Sequence, residues 1–469
     1  MNRYSVIPDT HVTTARNVGF PGIAFALALG LCLTGCASSS ENALRGQYRE
    51  TGNTIYGRPG ATNELSRLDG NSTLEDYLRY AFANSLVMRA AYERWEAAIE
   101  RIPQARALDN PALSFEYFIE QRDLRYQVSL SQMLPGFGKL GLRDRRAAAE
   151  AEAASHEFEA RRVMVYDRVV KAFYEYHYLS RAIGVADENL QLLSNLEEVV
   201  ATRYKTGSAA FSELIKVQLE KDRLANELVT MRDERGSKSA TLAALLNLAG
   251  RDVLAWPKVI PSGATAIDEA VLAGMIEDLN PELKAAVSMI AAEEFKEKLA
   301  QRSFLPDFTI GANWMVMPGI DGKGDESDAS LMAGITLPIW WDRYRAEIRE
   351  ARAMARAATS ERDDRRNMLK ADLRMAIFKF RDAERRIALF ATSLIPKATQ
   401  ALEVAKQEFS SGKTDFMTLV DAQRALLEFK LLSERAVVDR EIANAEIGCC
   451  IGKYGDGLGA HGELPIGKK

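Results

Sequence analysis

Four short segments of this chain change hydropathy with a period of two, and long stretches with a helical period lie between them. Leu113, Phe115, Tyr117 and Ile119 alternate with Ser114, Glu116, Phe118 and Glu120, and Tyr126, Val128 and Leu130 alternate with Gln127, Ser129 and Ser131. Further on, Phe308, Ile310, Ala312 and Trp314 alternate with Thr309, Gly311 and Asn313. Leu331, Ala333, Ile335 and Leu337 alternate with Met332, Gly334 and Thr336. Each pattern predicts a strand with one apolar face, and the four form two hairpins. A second sheet covers such faces in a soluble sandwich, but here only four strands exist and long helices separate the hairpins. In a membrane the same alternation means lipid on one side and water on the other. Open sheet edges cannot face hydrocarbon, and four strands are fewer than the roughly eight that the smallest barrels need. The strands must therefore be shared: two chains would give eight and three would give twelve.

The helical segments follow one plan used twice. A helix from Thr73 to about Leu108 precedes the first hairpin, which Pro111 opens and Pro135 closes. A long helix from about Lys139 to Lys205 follows, with a coiled-coil seam at Ile183, Ala186, Leu190, Leu193, Val200 and Tyr204. Gly207 breaks it, and a second helix runs from Phe211 to Leu248. In the second half a helix spans Ile267 to Ser303 with an interruption at Asn280-Pro281. Pro306 and Pro338 bracket the hairpin, with a Gly/Asp-rich loop at 317–329. The next long helix runs from Asp342 to Ser410, with its seam at Ile387, Phe390, Leu394, Ala398, Leu402, Ala405 and Phe409. Gly412 breaks it, and a last helix runs to Ile447. A shift of 205 superposes Glu198 on Glu403, Val199 on Val404, Gly207 on Gly412, Phe211 on Phe416, Leu214 on Leu419 and Gln218 on Gln423. A helix of about 67 residues at 1.5 Å per residue spans on the order of 100 Å, far more than a bilayer.

The N-terminus reads as an address. Arg3 and Arg16 precede an apolar stretch from Gly19 to Leu33, too short for a comfortable membrane span, which ends in Leu33-Thr34-Gly35-Cys36. This resembles a bacterial lipobox, in which the Cys36 thiol receives lipid and Ala37 implies the outer membrane. Residues 1–35 are then a signal peptide, 36–72 an extended tether, 73–265 and 266–448 the two repeats, and 449–469 a flexible tail. No later run is long and apolar enough for a transmembrane helix. The net charge of -4 gives no basic balance toward nucleic acid.

Other chemistry is sparse. Cys449 and Cys450 read as free thiols near a frayed end, with a soft-metal pair as the alternative. His156 and His177 lie too far apart to chelate together. Asp321, Asp325 and Asp328 lack the spaced Glu of a calcium loop, and Lys323 interrupts them. Met315, Met317 and Met332 serve as packing residues or as a soft-metal path. Trp314, Trp340, Trp341 and Tyr126 fit an interfacial aromatic belt. No G-x-S-x-G, H-E-x-x-H or P-loop occurs, so the chain is not expected to be an enzyme.

At this point the chain resembles the TolC-like outer membrane factors. The matching pieces are the lipobox, the duplication, the two hairpins, Tyr204-Lys205-Thr206-Gly207 with its partner Phe409-Ser410-Ser411-Gly412, and Leu419-Val420-Asp421-Ala422-Gln423. The run Leu134-Pro135-Gly136-Phe137-Gly138-Lys139-Leu140 resembles members found beside heavy-metal exporters. The resemblance implies a mainly α chain with a long coiled-coil tube and a shared twelve-strand β-barrel in a homotrimer. It also implies an efflux channel of the outer membrane, with its tube in the periplasm. The implied partners are a periplasmic adaptor, an inner-membrane pump of the resistance-nodulation-division type and outer-membrane lipid, with no cofactor beyond the lipid on Cys36. Asp421 matches the carboxylate that lines the periplasmic entrance in the family, and in the repeat it corresponds to Lys216. The expectation is that this opposite pair helps hold neighbouring tips closed. Gly207, Phe211, Gly412 and Phe416 mark the tip turns and adaptor contacts. The competing readings are a lipid-anchored periplasmic adaptor or scaffold, which usually has one helical hairpin, and a cell-wall enzyme, which needs a catalytic constellation.

Overall fold

The computed structural model describes residues 38–56, 68–119, 124–248, 253–257, 267–318 and 325–453. Cys36, the signal segment, Asp321 and the end of the tail lie outside the described residues. The first helix, α1, spans Ser39–Ile55, followed by α2 (Leu74–Asn84) and α3 (Leu86–Arg106). Strands β1 (Ala112–Tyr117) and β2 (Tyr126–Leu134) precede α4 (Lys139–Lys205) and α5 (Phe211–Leu245). The second half repeats the order: α6 (Glu269–Leu279), α7 (Pro281–Arg302), β3 (Asp307–Met317), β4 (Glu326–Thr336), α8 (Trp341–Leu389), α9 (Ile395–Ser410) and α10 (Phe416–Ile451). A π-turn, Phe390–Leu394, joins α8 to α9.

Local chemistry sets these boundaries. Thr73 and Asp76 form a capping box at α2, with the Thr73 N–H donating to Asp76 at 2.8 Å. Asn280 caps α7 by accepting from Glu282 N and Leu283 N, Pro281 fits the first turn, and the Asn280 amide donates to the Cys450 carbonyl at 3.0 Å. The long α4 buries small side chains, among them Ala147, Ala151, Ala153 and Ser155. Its neighbour α7 buries Ala285, Ser288 and Ala292, so the two helices can approach closely.

Three sequence expectations are corrected. The tether at 36–72 contains α1, held by Tyr48 stacked on Tyr92 at 4.1 Å and by Glu41 paired with Arg45 and Arg106. The 317–329 loop is shorter, because β3 continues to Met317 and β4 starts at Glu326, which puts Asp328 in a strand. The flexible tail does not begin at 449: Cys449 and Cys450 belong to α10, which stops at Gly452 with φ +75°.

The four strands form one antiparallel sheet in the order β1-β2-β3-β4. Pairing of β2 with β3 joins the two repeats: Val128 faces Trp314 and Leu130 faces Ala312. Leu113 pairs with Leu130 and Phe115 with Val128, while Ala312 pairs with Leu331 and Phe308 with Ile335. The apolar positions of all four strands therefore share one face. Ser114, Ser129, Asn313 and Ser330 form one cross-strand row on the other.

Apolar clusters lie in series along the helices. The largest surrounds Trp95, Phe158, Phe173 and Tyr176. A second gathers Leu373, Ile377, Phe380 and Ile447, and a third closes the tips around Phe409, Phe416, Leu419 and Val420.

Candidate functional site

The residues singled out in the sequence gather in two places among the described residues: the sheet at one end and the helix turns at the other. The 67 residues of α4 separate them by on the order of 100 Å.

The apolar face of the sheet lies open. Leu331 is 83% exposed and Leu113 72%, values that water would penalise strongly for a packed sheet. Aromatic side chains mark both borders of this face. At the hairpin end Tyr126 meets Phe115 with tilted rings at 5.9 Å and Trp314 edge to face at 6.3 Å. At the helical end Phe137 meets Phe308 at 5.9 Å and Phe304 meets Trp341 at 5.7 Å, with Trp340 exposed beside them. The opposite face carries Glu116, Glu326 and Asp328 toward the hairpin end, in register with Gln127, Met317 and Met315. Asp325 pairs with Arg125 at 2.6 Å. No group of three metal-ligating side chains occurs among the described residues.

The tips are two copies of one turn. Gly207 and Gly412 have φ of +73° and +71°, the left-handed region that glycine adopts without cost. Gly207 N donates to Tyr204 O and Ser208 N to Arg203 O; Gly412 N donates to Phe409 O and Lys413 N to Glu408 O. Phe409 meets Phe416 at 5.9 Å and Tyr204 meets Phe211 at 5.4 Å. The Phe409–Phe416 pair is buried, and the Tyr204–Phe211 pair is exposed.

Asp421 is exposed near the start of α10, and its ion pair goes to Arg424 at 3.6 Å. No ion pair joins Lys216 to Asp421 within the chain among the described residues. Lys216 instead acts on Asp415, whose carboxyl is held below its ordinary range first by the Thr418 hydroxyl and backbone and then by that charge. Within the chain the same two helices, α5 and α10, are joined instead by Glu220 and Arg424.

The contacts that join the two hairpins escaped the sequence reading. Arg203 reaches from α4 to the end of α9, donating to Phe409 O at 2.7 Å and Ser410 O at 3.0 Å, with its guanidinium 4.5 Å from the Phe409 ring. Arg424 makes a two-pronged pair with Glu220, with Nε to Oε2 at 2.9 Å. Asn189 and Gln423 share a buried hydrogen bond of 3.0 Å. One signal was present: the last turn of α4 has Arg203 and Lys205, whereas that of α9 has no base.

His177 and His156 are half-buried, and burial lowers the pKa of both. Cys449 and Cys450 are packed among helices, and burial raises the pKa of each, that of Cys450 to about 12, so neither is a ready nucleophile.

Known proteins resemble this chain in sequence and in fold. A Haemophilus influenzae protein of uncharacterised role is 23% identical over 206 residues, 43% of this chain and 45% of that protein. The cobalt-zinc-cadmium resistance protein CzcC of Cupriavidus metallidurans is 23% identical over 377 residues, 77% of this chain and 85% of the relative. The solved outer membrane protein VceC of Vibrio cholerae shares the fold with a TM-score of 0.69 at 18% identity, over 81% of this chain and 96% of that one. The sequence model of the outer membrane efflux protein family matches residues 78–248 and again 272–447, one stretch in each repeat, and the chain belongs to that family.

Proposed function

We propose that the protein is the outer-membrane channel of a tripartite efflux system: a passive duct of three copies, anchored by lipid on Cys36. The observation that carries this reading is the four-stranded sheet, apolar and open on one face, with two unpaired edges. Strand directions alternate along β1-β2-β3-β4, so β4 of one copy can pair antiparallel with β1 of the next, and three copies close twelve strands. The aromatic borders then sit at the two membrane surfaces. The helices support the same assembly. Within a chain α4 lies between α3 and α7, whereas α8 has α7 on one side and no counterpart of α3 on the other among the described residues. Its outer face exposes Met354, Met368, Met375 and Phe378, which an adjacent copy would cover.

The position of α1 supports the anchor. Its first turn begins three residues after Cys36. Glu41 is tied to Arg106, and Arg106 to Asp144, close to where the chain enters and leaves the first hairpin. Lipid on Cys36 would thus sit at the membrane end of the tube. At the other end the tips would meet a periplasmic adaptor and, through it, an inner-membrane pump of the resistance-nodulation-division type. Asp421 would line the entrance there, and Asp421→Ala should reduce cation selectivity. We infer divalent metal cations as cargo, from the CzcC relative and from a polar sheet face that carries Glu116, Glu326 and Asp328 but no lysine or arginine in its strands. A duct of this kind catalyses no reaction.

Adjacent substitutions on β4 test the sidedness of the sheet. Leu331→Asp puts a charge on the lipid side, which costs on the order of 2 kcal/mol per copy, and should abolish outer-membrane insertion. Ser330→Asp faces water and should leave insertion and bilayer conductance intact. Equal tolerance of both substitutions would contradict the barrel.

A further inference from the structure

The sheet sorts its side chains by face, and one residue type breaks the rule. The strands hold four methionines: Met133 in β2, Met315 and Met317 in β3, and Met332 in β4. The register puts all of them on the polar face. Met133 lies opposite Thr309, Met315 between Gln127 and Asp328, Met317 opposite Glu326 and Met332 opposite Gly311. Apart from Ala112, every other residue on that face is polar or a glycine. The apolar face, where methionine would be at home, has none.

Packing does not account for this placement. Met133 and Met332 are 45% and 40% exposed, and leucine or isoleucine would fill the same space. What sets methionine apart from other apolar side chains is its thioether, a donor that suits soft cations. A Cβ at Gly311 would come within 3.1 Å of the Met332 methyl carbon, so the glycine leaves that side chain its place.

The four also form a series. Projected through the register onto β3, they fall at Met317, Met315, Gly311 and Thr309. At 3.4 Å per residue this is about 27 Å, close to the thickness of a bilayer core. The row left out holds Ser114, Ser129, Asn313 and Ser330. Carboxylates accompany the two methionines at the hairpin end, Asp328 beside Met315 and Glu326 beside Met317. No group of three His, Cys, Asp or Glu side chains able to hold a metal occurs among the described residues. Weak sites in series suit passage rather than capture, because an ion must leave each one as readily as it enters.

We propose that the polar face of the sheet is a thioether ladder for soft monovalent cations, Cu(I) and Ag(I). This rests on the reading of the sheet as a barrel wall, and it extends the cargo beyond divalent cations. The carboxylates at the hairpin end attract any cation, and the thioethers discriminate soft from hard.

Silver ion is the probe, used in nitrate salts without chloride. The full lipidated chain carries Cys449→Ala and Cys450→Ala, which removes these thiols as silver ligands, and its K+ current is recorded in a planar bilayer. Micromolar Ag+ should reduce that current. Exchange of all four methionines for leucine, which conserves volume, should leave the silver-free current unchanged and raise the half-blocking Ag+ concentration about tenfold. Met315→Leu with Met317→Leu, and Met133→Leu with Met332→Leu, should each give part of that rise, and they carry the test if the fourfold exchange disturbs folding. The half-blocking concentration of Mg2+, a hard cation that takes oxygen ligands, should stay the same throughout. A silver block that leucine leaves unaltered, or no silver effect on an open channel, overturns the proposal. So does an equal shift for Mg2+, which would make the methionines plain wall. Absence of any K+ current from the natural chain would instead remove the barrel reading, and the ladder with it.

Discussion

Gly412 and Arg203 set the second tip through different physics, one through the backbone and one through charge. A Cβ at Gly412 would meet nothing within 4 Å, so its φ of +71° is what restricts the position. Gly412→Ala should cost about 1 kcal/mol, read as a lower melting temperature of the tip by hydrogen exchange, and Gly207→Ala should do the same. Arg203→Ala removes two charge-assisted hydrogen bonds. At a half-exposed site they should be worth about 1 kcal/mol, after discounting the buried range for screening. Amide exchange at Gly412 and Lys413 should then quicken several-fold while exchange in the α7 region stays constant. Arg203→Lys should restore only part of the protection, because an ammonium cannot serve both carbonyl groups with the same planar fork.

At the scale of elements, helix α10 is tied to two neighbours through one carboxylate. Burial alone would raise the pKa of Glu446, but the ammonium groups of Lys171 and Lys379, each at 2.9 Å, outweigh it and hold the carboxyl below its ordinary range. Its stabilisation is complete above the unfolded value of about 4.3 and is lost as pH falls through the lower folded value. Between about pH 5 and pH 3 the melting temperature of the natural chain should fall more steeply than that of Glu446→Gln; parallel curves would remove this tie from the account. The elements that read clearly in the sequence were those with a strong period. The two long helices and all four strands follow from spacing, and Asn280-Pro281 marked the break between α6 and α7. Helix α1 was hidden because its sequence is polar and holds Gly46 and Gly52. It forms through contacts with α3, such as Tyr48 on Tyr92, that no local pattern announces. The start of β4, Glu326 to Ser330, has poor strand propensity and is held by pairing with β3. At the end of α10, Gly448 continues the helix and Gly452 stops it. The glycine turns of the tips were legible for their backbone requirement. The Arg203 cap was not, since its acceptors lie 206 and 207 residues away.

For the molecule as a whole, the sheet and the tube impose the same demand. Among the described residues one chain leaves two strand edges unpaired, one apolar face open and one side of α8 uncovered, and the proposed assembly of three copies would satisfy all of them. The solved VceC structure shares that fold, and the family model matches once in each repeat. The most direct test is the native mass of the lipidated protein extracted in detergent, by light scattering with the detergent contribution removed. The account predicts three chains per particle, resistant to dilution. A stable single chain would contradict it, because four strands alone cannot enclose a pore.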